Sequence, residues 1–157
     1  MKSYFGLEAR MIVRAGIAAG CIAALPGAGS VPALARQGDY SQQQAAQGHQ
    51  VYDAHCSQCH GAELAGQSGP ALAGDQFKSQ LEFSKMSGKQ LYDFISTQMP
   101  YDDPGSLTKD EYLNVMAYVL AQNHYPAGDK KLTEQSVGDV KLLPYPAGSS
   151  TQVSNPK

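Results

Sequence analysis

The tightest constraint on this chain is the run Cys56-Ser57-Gln58-Cys59-His60. Two thiols three positions apart, followed at once by an imidazole, form the attachment pattern for c-type haem. Each thiol can add to one vinyl group of a porphyrin. The next residue carries its ring under the macrocycle, where it can act as the proximal iron ligand. Two plainer readings share these residues: half of a zinc site, or a thioredoxin-like redox pair. A closed zinc site wants four ligands and usually a second Cys pair, but the third cysteine, Cys21, stands alone. A thioredoxin pair sits on a βαβ pattern, and no strand pattern precedes Cys56.

The compartment follows from the other end of the chain. Lys2, Arg10 and Arg14 carry positive charge, Ala15 to Leu25 is small and apolar, and Ala33-Leu34-Ala35 supplies an A-x-A cleavage pattern. Residues 1–35 therefore read as a secretory signal peptide cleaved after Ala35, which places the protein in the periplasm. The apolar run falls short of the roughly 20 residues that a membrane span needs. An uncleaved anchor, or a lipid on Cys21, is the lesser alternative, so membrane contact is expected only through a partner or a retained anchor. The 157-residue chain has a formal net charge of −2, and loss of the leader makes it more acidic. A nucleic-acid partner would favour a basic patch; mild acidity suits a protein partner with a basic face.

Residues 36–44 read as a flexible lead-in, with Ser41 able to cap a helix. Ala45, Gly48 and Tyr52 recur at helical spacing. Gly48 costs a helix about 1 kcal/mol relative to Ala, a cost that makes sense where another helix crosses closely. The stretch from Gly61 to Gly74 is rich in glycine and holds Pro70, poor material for a helix or central strand. Its small residues let backbone lie against a flat ligand, and the Pro70 carbonyl is a candidate acceptor for the second nitrogen of His60. Asp75 to Met86 shows no clear period, with Phe77, Leu81 and Phe83 available to cover a cofactor edge. Ser87 caps a helix whose Leu91, Phe94 and Ile95 form a face, ending near Gln98 because Pro100 forbids continuation. An acidic turn follows at Tyr101 to Gly105.

Thr108 and Glu111 have capping-box spacing and open a helix with Leu113, Met116, Ala117 and Leu120 on one face, ending near Gln122. From Pro126 the composition shifts to Gly, Pro, Ser and Lys, and Tyr-Pro-Ala-Gly occurs twice, at Tyr125 and at Tyr145. Residues 126–157 read as an extended or disordered tail, and as a candidate docking strap for a partner.

An iron held by His60 needs a decision on its other face. Met86, Met99, Met116, His49, His55 and His124 are the candidates. Met116 belongs to a helix core, His49 and His55 precede the motif, and His124 follows the last helix. Met99, at a helix end and stiffened by Pro100, is the first choice; Met86 is the second.

The order Cys56-Ser57-Gln58-Cys59-His60, Gly69-Pro70-Ala71-Leu72, Met99-Pro100 and the helix from Glu111 to Gln122 resembles the class I c-type cytochromes, over roughly Ala45 to Asn123. The resemblance implies an all-α fold with crossing N- and C-terminal helices, the haem enclosed by short helices and loops, and a cytochrome domain at 45–125. It implies one haem c on Cys56 and Cys59, axial ligands His60 and Met99, Pro70 behind the proximal ring and Leu72 against the cofactor. Gly48 and Tyr52 would meet Tyr118 at the helix crossing. The end of the last helix, through Gly128, looks like that of cytochromes accompanying pyrroloquinoline-quinone (PQQ) dehydrogenases. The expected function is single-electron transfer from such a dehydrogenase toward a terminal oxidase, with no catalytic residue. The alternatives are a haem enzyme or sensor with an open iron position, which could recruit His55, Tyr101 or Asp102, and a mainly structural cytochrome subunit.

Overall fold

The computed structural model describes residues 38–147. The expected leader, with Cys21 and the cleavage site at Ala35, and the last residues of the tail lie outside them. Five helices carry the fold: α1 Gln42–His55, α2 Ser57–His60, α3 Gly74–Ser84, α4 Gly88–Gln98 and α5 Lys109–Gln122. The architecture is all-α, as the resemblance implied.

Helices α1 and α5 cross to make the centre of the core. Ser41 caps α1 by accepting from the Gln44 amide, and Thr108 with Glu111 forms the capping box that opens α5. At the crossing, a Cβ added to Gly48 would overlap the backbone carbonyl of Asn114 and come 3.0 Å from Tyr118 Cβ. Only glycine lets the two backbones approach this closely. One turn further on, the buried Tyr52 packs its ring 5.3 Å from that of Tyr118. Eight of the nine α5 residues from Tyr112 to Leu120 are buried, all but the half-buried Asn114. Such all-round burial requires α5 to be enclosed by other elements.

Three segments differ from the sequence-based expectation. The stretch after Asp75, which shows no period, is helix α3, with Phe77 and Leu81 in the core. Phe83 is 92% exposed and so does not share that burial. Second, the lead-in is pinned at its end. Tyr40–Ser41 (β1) pairs in parallel with Ala127–Gly128 (β2), and the buried Tyr40 hydroxyl donates to the Tyr125 carbonyl at 2.7 Å.

The tail, expected to be extended or disordered, needs the larger correction where disorder is concerned. Through residue 147 it is an ordered strap over its own domain. Leu132, Val137, Val140 and Leu142 are buried in the same core as α1 and α5. Gln44, itself buried, clamps Leu132 with its whole amide: Nε2 donates to the Leu132 carbonyl at 2.9 Å, and Oε1 accepts from its N–H at 2.8 Å. A short 3-10 turn, Val137–Asp139, then meets the start of α4, where a Cβ on Gly88 would collide with Val140 and the Val137 carbonyl. Finally Tyr125 donates to the Leu142 carbonyl at 2.6 Å and stacks edge-on with Tyr145, 5.9 Å away. The two tyrosines of the repeated Tyr-Pro-Ala-Gly thus meet. The strap's apolar side chains face inward, so the folded domain continues past the expected boundary at 125.

Candidate haem-binding site

The Cys56–His60 motif is built onto the end of α1. The Cys56 amide donates to the Tyr52 carbonyl at 2.8 Å, closing the last turn of α1. The single turn α2 follows, with Cys59 N and His60 N both bonded to the Cys56 carbonyl, at 3.1 and 2.9 Å. The two thiols and the imidazole therefore sit on one rigid helical turn. Gly61, with φ +79°, ends that turn in a conformation that favours glycine, and the Tyr52 hydroxyl fixes it by donating to the Gly61 carbonyl at 2.6 Å. Burial pushes the Cys56 thiol up to about 11, and the neighbouring Cys59 adds to the shift. A redox-active thiol needs the opposite shift.

The glycine-rich loop 61–74 wraps back on the motif through its own backbone. Gly69 N and Gln67 N donate to the Cys59 carbonyl at 2.8 and 3.1 Å, and Gly66 N donates to the His60 carbonyl at 2.8 Å. Gly69 lies directly behind the imidazole: a Cβ there would come 3.0 Å from Cε1 and 3.1 Å from Nδ1 of His60. The next residue supplies the acceptor, with His60 Nδ1 2.8 Å from the Pro70 carbonyl oxygen. A carbonyl can only accept, so Nδ1 carries the proton and Nε2 presents its lone pair. Nε2 makes no hydrogen bond among the described residues. This is the tautomer and the orientation that a metal-ligating histidine needs.

Met99 terminates α4. Its amide bonds the Ile95 carbonyl at 3.2 Å, and its backbone turns extended at φ −125°, ψ 153°. Two donors hold its carbonyl, the Tyr112 hydroxyl of α5 at 2.7 Å and Gly105 N at 3.2 Å. Leu91, Ile95 and Met99 fall at four-residue steps and are all half-buried, whereas Gly88 and Tyr92 on the adjoining face are buried. An apolar stripe left partly open beside a buried one is a cradle for something outside the polypeptide. Cys56, Leu72 and Leu107 are likewise half-buried beside the core.

The other candidate ligands lie in different settings. Met116 is 1% exposed within the core. His49 stacks on Tyr118 at 4.6 Å and sits 3.5 Å from Asp53. His55 and His124 are exposed at helix ends, and Met86 is half-buried in the connection before α4. Among the described residues, no three His, Cys, Asp or Glu side chains converge as a metal cluster.

The comparisons agree with the fold. A family model described as cytochrome C oxidase, cbb3-type, subunit III matches residues 43–119. Among solved structures, the chain resembles one from the sulfane dehydrogenase SoxCD of Paracoccus pantotrophus, at 27% identity over 63% of this chain with a TM-score of 0.51. This chain carries a class I cytochrome c domain. It spans about half of the SoxCD chain, 53%. No curated protein matches it.

The domain's donor set fits the covalently bound haem c that a cytochrome c domain implies. A lone-pair nitrogen is aimed by a backbone carbonyl, two thiols share its helical turn, a thioether ends α4, and a half-buried apolar stripe leads to that thioether. Three side chains that support this arrangement carry no signal of that role in the sequence. Tyr112 holds the Met99 carbonyl and Asn123 reaches the Leu72 carbonyl. Tyr145 reaches Asn123. Each is a polar atom on an otherwise apolar or irregular stretch, and only the distance between their partners in space reveals them.

Proposed function

We propose that this cytochrome is a periplasmic single-haem electron carrier, taking electrons one at a time from a dehydrogenase and passing them toward the respiratory chain. The observation that carries the reading is His60: one residue past two thiols, Nδ1 committed to Pro70, and Nε2 left to bind iron. Cys56 and Cys59 would hold the haem by thioether bonds, and His60 and Met99 would supply the axial nitrogen and sulfur. When bound, the haem supplies a one-electron iron couple. The protein's work is to fix geometry. Pro70 and Gly69 orient the His60 ring, Tyr112 fixes the backbone of Met99, and Leu72, Leu91 and Ile95 keep water from the apolar stripe. With His60 and Met99 both given to holding the haem, no side chain would act as an acid or base, and none is assigned a catalytic role. A methionine ligand would raise the potential relative to harder ligands, which suits accepting electrons from a dehydrogenase. A PQQ enzyme is the donor class suggested by the ending of α5 through Gly128.

A second reading, a cytochrome subunit of a dehydrogenase complex, is favoured by the likeness to a chain of SoxCD. Purification from the source under native conditions separates the two: a carrier elutes alone, and a subunit brings its enzyme. The central reading is tested by absorption spectroscopy on exported protein. The wild type should be red and keep its haem on a denaturing gel; Cys56→Ala with Cys59→Ala should not. Met99→Ala should abolish the far-red sulfur-to-iron band and let carbon monoxide bind the reduced protein. Colourless wild-type material would end the proposal, and ready carbon monoxide binding by the wild type would favour an open-iron enzyme or sensor.

A further inference from the structure

The strap ends on a buried polar junction that leads back to the candidate proximal ligand. Asn123, the residue closing α5, is fully buried and uses every hydrogen-bonding position of its amide. Nδ2 donates to the Val119 carbonyl at 2.7 Å and to the Leu72 carbonyl at 2.8 Å. Oδ1 accepts from Gly74 N at 3.2 Å and from the Tyr145 hydroxyl. That hydroxyl also lies 3.4 Å from the Gly74 carbonyl. Leu72 and Gly74 end the loop that contains Gly69 and Pro70, and the Leu72 amide returns to the Leu64 carbonyl at 2.8 Å. The loop is thus tied through its middle to the motif and at its finish to α5 and the strap.

We propose that Tyr145 and Asn123 are positioning residues for His60: the strap's end holds Asn123, and Asn123 holds the loop whose Pro70 carbonyl orients the imidazole. The proposal rests on the haem reading only for its spectroscopic consequence. The geometric reason is economy of restraint. Loop 61–74 has little regular structure, and of its side chains only Leu64 and Ala71 are buried. Its rigidity therefore comes from two sets of backbone bonds. One set, from Gly66, Gln67, Gly69 and Pro70, runs to the motif itself. The other depends on an amide whose orientation is set by what its oxygen and nitrogen face, because a reversed amide would set donor against donor at Gly74 N. The Tyr145 hydroxyl, a donor to Oδ1, fills that oxygen's second position and so holds the amide in place. A buried network of this kind is worth more than its separate bonds when complete.

The test is Tyr145→Phe in the full-length exported protein. This change keeps the ring on Tyr125 and removes only the hydroxyl. Amide hydrogen exchange of residues 64–74 should rise by about five- to tenfold, the loss expected from one hydrogen bond. The paramagnetically shifted ring signals of His60 should move. Val140→Ala, at the strap's contact with Gly88, is the control: it should speed exchange in α4 and leave 64–74 and the His60 signals unchanged. The proposal is overturned if Tyr145→Phe leaves 64–74 unchanged, or if Val140→Ala moves the loop as much as Tyr145→Phe does. A wild type without haem would defeat the functional reading instead, and the exchange comparison would still decide the coupling.

Discussion

Two irregular segments of this cytochrome, the loop 61–74 and the strap 129–147, differ in composition and have opposite legibility. Both are short of regular structure and both lie on the same core. The loop is bound mostly by neighbours: its bonds run to Cys59 and His60, a few residues away, and only its far end reaches Asn123. The strap is bound by strangers: Leu132 to Gln44, Val140 to Gly88, Tyr145 to Asn123. Local closure can be inferred from a motif. Long-range closure depends on polar atoms meeting across the fold, and a linear reading has no period with which to find them.

The comparison can be broken most severely by ending the chain after Gly128. Burial of Leu132, Val137, Val140 and Leu142 is worth about 1.5–3 kcal/mol each, or on the order of 6–12 kcal/mol together. A domain's whole stability is about 5–15 kcal/mol. Truncated protein should fail to give a cooperative thermal transition by circular dichroism, whereas a dispensable tail would leave the transition intact. Gln44→Ala attacks the strap at one point. It orphans both backbone groups of Leu132 at a cost of about 1–3 kcal/mol each, so the urea midpoint should fall clearly while the haem spectrum stays unchanged. Gly69→Ala makes the matching attack on the loop. Its methyl must push the His60 ring or the Cys59 carbonyl, at an overpacking cost of about 1–3 kcal/mol. Here the spectrum should change along with the melting temperature; an unaltered spectrum would mean the loop does not set the imidazole.

The smallest effect sharpens a third, purely local device. Hydrogen bonds from the Thr108 backbone amide, and then from its hydroxyl, hold the Glu111 carboxyl below the usual carboxylate range. The unfolded chain therefore takes up this proton first as pH falls. The contribution is complete above the ordinary carboxylate pKa and is lost as pH drops through the folded value. Glu111→Gln should narrow the loss of stability on acidification, seen as a shallower acid limb in melting temperature against pH.

What could be read from the sequence follows the same division. Ser41, Ser87 and Thr108 announce their helices because a cap acts within three residues. Gly48 announces a close crossing because glycine inside a helix needs a reason. The Cys56–His60 motif carries its own spacing. Helix α3 escaped notice because its buried residues, Phe77 and Leu81, make too short a stripe to establish a period. The strap escaped because its buried residues are scattered among Lys, Asp and Ser, and because a Gly- and Pro-rich composition imitates disorder. Tyr125 and Tyr145 hinted at a relation through their repeated tetrapeptide, but its meaning, one ring against the other, exists only in three dimensions.

The short parallel pairing of Tyr40–Ser41 with Ala127–Gly128 has a practical consequence for anyone who would transplant this domain. Gly38 and Gly128 sit so close that a methyl on either would run into the other's backbone. A cassette cut at the limits of the family match, 43–119, discards both lips of that clasp together with the hydroxyl of Tyr40. A graft meant to carry the red centre elsewhere should be excised at Gly38 and released no earlier than Tyr145.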